Sequence, residues 1–126
     1  MKTTKEVKEI LLTGFDKKLD SLRACEGWYR VNKNYKNEID LDFWENKRTI
    51  CRETILKGVE GLVEGEKTPL KRFEELLDKF FISECRARAW RVTKDKENEF
   101  LSLEKEKACK KIILKEIGEL IEVEGE

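Results

Sequence analysis

The apolar residues of this chain return at helical spacing, and they do so four times over. Val7, Leu11, Phe15, Leu19, Leu22, Cys25 and Trp28 are separated by steps of 4, 4, 4, 3, 3 and 3. That spacing lines one face of an α-helix. Gly14 interrupts the stripe, at a cost of about 1 kcal/mol relative to alanine. The polar run from Asn32 to Asn37 reads as a loop.

A second stripe holds Trp44, Cys51, Ile55, Val59 and Leu62. Asp40 is its expected N-cap, with Ile39 and Trp44 at the two positions of a hydrophobic staple. It ends in Glu64-Gly65-Glu66, and Gly58 and Gly61 leave a small-residue patch that another backbone could approach. Thr68-Pro69 marks the next boundary, since proline at the first helical position removes an N–H that has no partner there. Leu70, Phe73, Leu77, Phe80, Phe81, Cys85, Ala89 and Val92 form the third stripe. The pattern lapses from Thr93 to Glu99, where a turn capped by Thr93 or Asp95 is expected. Leu101, Ala108, Ile112, Ile113, Ile117, Leu120 and Ile121 form the fourth.

Four helices over about 4–31, 40–63, 69–92 and 95–122, joined by short connections, predict one all-α domain covering residues 1–126. The expected architecture is an antiparallel four-helix bundle. The rival is an elongated helical dimer, because neither Gly nor Pro falls between Leu70 and Ile117. A continuous helix from Pro69 to Glu122 would span roughly 80 Å and would need a second chain to cover its stripe. A homodimer packed through the third and fourth helices is a related expectation. No segment alternates as a strand should.

Histidine and glutamine are absent. Ser-His-Asp and Cys-His catalysis, histidine acid–base chemistry, His-ligated zinc and the Glu-x-x-His di-iron signature are thereby excluded. No glycine-rich phosphate loop occurs. The expectation is a non-enzymatic protein with no catalytic residues and no cofactor. No apolar run approaches a membrane span, and the N-terminal residues lack the apolar core of a secretory signal. A cytoplasmic setting with reduced cysteines is expected.

Lys+Arg and Asp+Glu both number 27, so a generally basic nucleic-acid coat is ruled out. Two local basic features remain. Arg86, Arg88 and Arg91 flank Trp90, a combination that suits phosphate contacts with base stacking. Lys107, Lys110, Lys111 and Lys115 form a stripe on one helix face. Together these seven residues are the alternative, a nucleic-acid surface.

The leading expectation is a helical binding or assembly module that docks a helix-face patch on a protein partner. Its candidate residues are Trp28, Trp44, Trp90, Arg88 and Arg91. Trp28 and Trp44 flank the first loop, and an end that fails to bury both would be a partner surface. A second alternative is a Cys₄ metal or iron–sulfur site. Cys25, Cys51, Cys85 and Cys109 fall one per helix, although without the local Cys-x-x-Cys pair that usually marks such sites. Small buried hydrophobes are the simpler expectation for these four.

Overall fold

A computed structural model of the chain describes residues 2–34, 38–63 and 68–125, without the side chains of Asn34, Thr68, Pro69, Glu84 and Arg88. Four helices pack against one another: α1 (Lys5–Asn34), α2 (Glu38–Val63), α3 (Thr68–Val92) and α4 (Lys96–Glu119). The all-α bundle expected from the spacing is therefore present. Contacts between α1 and α2 run in opposite order along the two helices. Trp28 meets Trp44, Glu26 meets Arg48, Cys25 meets Cys51, and Phe15 lies against Gly58. Between α3 and α4 the same reversal pairs Arg91 with Glu99, Leu76 with Cys109 and Arg72 with Glu116.

Each helix contributes to a single core. Phe15, Leu19 and Leu22 of α1 pack with Ile55, Val59 and Leu62 of α2. Phe73, Leu76, Leu77 and Phe80 of α3 and Cys109, Ile113 and Ile117 of α4 complete it. Hydrophobic burial at this interface, rather than helix propensity, supplies most of the helical stability.

The helix ends explain where the chain turns. Thr4 caps α1, its Oγ1 accepting from the Val7 N–H at 3.3 Å. Asp95 caps α4, its carboxylate accepting from the Asn98 N–H at 3.1 Å and from Asn98 Nδ2 at 2.8 Å. These bonds hold the Asp95 carboxyl below its ordinary pKa. At the end of α3, Lys94 takes a φ of 61°. Its N–H donates to the Arg91 carbonyl and the Asp95 N–H donates to Trp90. This is a Schellman stop, built with lysine where glycine is usual. It breaks α3 from α4 without Gly or Pro, so the unbroken helix from Pro69 to Glu122 does not form.

Several local expectations are corrected. α2 starts at Glu38, which puts Asp40 inside the first turn rather than at the cap. Ile39 is 84% exposed and staples nothing. The loop residues 35–37, the turn residues 64–67 and the capping side chains of Thr68 and Pro69 lie outside the described residues. α4 ends at Glu119, short of residue 122. Beyond it, Glu122–Val123 pairs in parallel with Lys2–Thr3, a two-residue bridge too short to show as alternation.

The inner face of α4 keeps Ile113 and Ile117 of the expected stripe, with Ile121 buried just beyond it, but differs in the first half of the helix. Ser102, Glu106, Cys109, Ile113 and Ile117 point into the bundle. Leu101, Ala108 and Ile112 lie on the outside. Glu106 is tolerated inside because Arg23 reaches it from α1 in an ion pair. Apolar count favoured the wrong stripe in the first half of this helix, since the buried one carries a serine and a glutamate.

Candidate partner-binding site

The end of α1 and the start of α2 carry an ordered aromatic group. Trp28 and Trp44 stack with ring centroids 5.8 Å apart and planes 17° from parallel. Phe43 meets Trp44 edge-on at 5.0 Å. Such offset and edge arrangements are the favoured ones for aromatic pairs. The position of Trp28 is fixed further by its carbonyl, which accepts from Asn32 Nδ2 at 2.8 Å.

The layer beneath is held by charge. Arg48 donates from Nε to Glu26 at 2.6 Å, and the Glu26 side chain is 2% exposed. The guanidinium lies 4.8 Å from the Tyr29 ring centroid and 4.6 Å from that of Phe81. It thus links α2 to α1 and α3 through one planar group, a use to which arginine is suited and lysine is not. One turn further in, the thiols of Cys25 and Cys51 are 3.6 Å apart. Burial, together with the neighbouring Cys51 thiol, pushes the Cys25 pKa up to about 11.

Above this layer, Trp28 is 54% and Phe43 51% exposed. The condition posed by the sequence is met, since this end does not bury both tryptophans. Large exposed aromatics on fixed backbone are what protein interfaces use as anchors, because little conformational freedom is lost on docking. Trp90 is also exposed but makes no ring contact with Trp28 or Trp44 among the described residues. Arg91 is engaged with Glu99 at 2.8 Å. The side chain of Arg88 lies outside the described residues.

The expected lysine stripe is divided. Lys110 turns toward α1 and sits between Asp16 at 2.6 Å and Asp20 at 2.7 Å. Lys107 reaches Glu104 at 3.4 Å. Lys111 and Lys115 remain exposed. Arg86 faces a groove on the other side of α4, together with Lys105. The six of these basic residues whose side chains are described, all but Arg88, therefore do not form one continuous surface.

The four cysteines do not converge either. Cys109 is buried and donates to the Leu76 carbonyl at 3.4 Å, away from the Cys25–Cys51 pair. Among the described residues no three Cys, Asp or Glu side chains are grouped so as to hold a metal ion. A hollow of about 570 Å³ at the terminal strands is lined by Lys2, Lys8, Glu119 and Glu122 among others, a mixture of signs with no convergent chemistry.

Comparison with protein families, curated proteins and solved structures gives no match. No helix among the described residues is long and apolar enough to cross a membrane.

Proposed function

We propose that this chain is a non-catalytic helical binding module that docks a protein partner through its aromatic end. The observation that carries the reading is the Trp28–Trp44 stack with Phe43 beside it, with Trp28 and Phe43 about half exposed. The rim of this patch carries Lys47 over the Phe43 ring and Lys33 over the Tyr29 ring. Charges so placed tune partner choice and encounter rate more than affinity. A cytoplasmic setting with reduced thiols fits this role. Nucleic acid is the weaker reading, since Lys107, Lys110 and Arg91 are each occupied by a carboxylate.

Position-resolved photocrosslinking in the native cell tests the proposal. A benzophenone side chain at Phe43 is expected to give a discrete protein adduct, while one at Glu60, on the exposed far half of α2, gives none. Equal labelling from both positions, or adducts to nucleic acid alone, would overturn it.

A further inference from the structure

The face of α3 and α4 that does not meet α1 or α2 carries a groove of about 450 Å³ lined by these two helices alone. Its apolar floor includes Ile82, Ala108 and Ile112, and both isoleucines are about half exposed, at 46% and 45%. Lys79, Arg86 and Lys105 stand along it, all exposed and without an ion pair among the described residues. Arg72 closes one end, held by Glu116 at 2.9 Å. Among the described residues no acidic side chain lines the groove, and Glu116 reaches only its Arg72 end. In a chain of zero net charge whose acids and bases alternate almost everywhere, this is a local segregation of sign.

The spacing fits a helix as occupant. On α3 the groove positions 72, 76, 79, 83 and 86 step by four and three. On α4, positions 105, 108 and 112 do the same, and Leu101 continues the row, 49% exposed. Rows of this kind are how one helix presents a seam to another.

The charge decides which helix. A second copy of this chain packed through the same face on a two-fold axis would bring two sets of Lys79, Arg86 and Lys105 into one seam, and like charges gathered there disfavour that pairing. A helix with acidic residues flanking an apolar stripe meets both the floor and the rim. A phosphate backbone would use the rim but leave the isoleucines without a partner. We infer that the α3–α4 groove binds an acidic amphipathic helix of a partner protein, its apolar stripe on Ile82, Ala108 and Ile112 and its carboxylates on Lys79, Arg86 and Lys105. This surface is separate from the aromatic end, so either can fail alone.

The test uses the full chain and synthetic fluorescein-labelled peptides, read by anisotropy at low salt. The first peptide carries leucines at three- and four-residue spacing flanked by glutamates. The second replaces the glutamates by lysines, and the third replaces the leucines by serines. The first is expected to bind at least tenfold more tightly than either other. Arg86→Glu combined with Lys105→Glu, and separately Ile112→Ser, should each weaken it at least tenfold, whereas Trp28→Ala should leave it unchanged. All four positions are exposed, and circular dichroism checks that each variant remains helical. Equal binding of the lysine peptide, equal binding of the serine peptide, or no binding of the first would each overturn the inference. So would an oligonucleotide that binds more tightly than the first peptide and is indifferent to Ile112→Ser.

Discussion

Gly58 lies directly against the ring of Phe15: a Cβ placed on this glycine would stand 2.9 Å from both Cε1 and Cζ. Phe15 is buried at 4% exposure and its ring cannot swing away without disturbing Ile55 and Val59 in the same core. Gly58→Ala therefore gains about 1 kcal/mol of helix propensity but meets an overpacking cost of about 1–3 kcal/mol. The expected net is a loss of about 1 kcal/mol in urea unfolding. Gly61→Ala, with nothing within 4 Å of the new methyl, should instead stabilise by up to about 1 kcal/mol. The sequence suggested that both glycines admitted another backbone; the structure gives Gly58 an aromatic ring and Gly61 open space.

Lys94 holds a left-handed backbone conformation at φ 61°, which costs a non-glycine residue about 1 kcal/mol. Lys94→Gly removes that strain while keeping the N–H groups that close α3. The melting temperature should rise, with stability up by a few tenths to about 1 kcal/mol. Lys94→Val should lower it, because a β-branched side chain tolerates this region least.

The Glu26–Arg48 pair joins a carboxylate that is almost wholly buried to a guanidinium that also packs against two rings. Arg48→Ala removes the 2.6 Å contact to this buried carboxylate and the packing of the guanidinium on two rings, and a loss of about 3 kcal/mol is expected. Arg48→Lys should recover only part of it, since an ammonium restores charge but not the planar contact with Tyr29 and Phe81. Thermal unfolding of the two variants beside wild type checks the order.

The Cys25 thiol ionises near 11 in the folded chain against 9.0 in its ordinary state. The unfolded chain loses this proton first as pH rises. The associated stability is full below pH 9 and falls as pH climbs toward 11, by roughly 2 kcal/mol. Cys25→Ala should flatten that fall. Cys109 contributes a residual slope, because burial raises its pKa as well. At neutral pH, alkylation of Cys25 should be slow. Diamide, which accepts the two thiol hydrogens, is expected to join Cys25 to Cys51 as a disulfide and raise stability by about 3 kcal/mol.

Much of the fold was legible in the apolar spacing. The stripe from Phe15 to Leu22 and the run Ile55, Val59, Leu62 are buried as their periods predict. Asp95 caps α4 because its carboxylate sits three residues before an N–H it can accept from. Two things were not legible. The inner face of α4 runs through Ser102 and Glu106, and Glu106 is inside because of Arg23, a residue 83 positions away in sequence. The turn at Lys94 needs a backbone conformation for which lysine gives no signal.

The candidate site divides in the same way. Trp28 and Trp44 were marked by their places beside the first loop, and the structure stacks them. The lysine stripe is divided because Asp16 and Asp20 on α1, which hold Lys110, are invisible to a one-helix argument. Nothing in the spacing joins Lys79 to Lys105, since their common groove exists only once α3 and α4 are side by side.

The central claim is that the aromatic end is an anchor for a protein partner. The direct measurement is a titration of the partner captured from Phe43, purified, against wild-type chain, Trp28→Ala and Lys57→Ala. Truncating an anchor residue at the centre of an interface costs about 2 kcal/mol or more, so Trp28→Ala should weaken binding at least tenfold while Lys57→Ala, on the exposed far half of α2, leaves it within twofold. Equal affinity of wild type and Trp28→Ala would contradict the account.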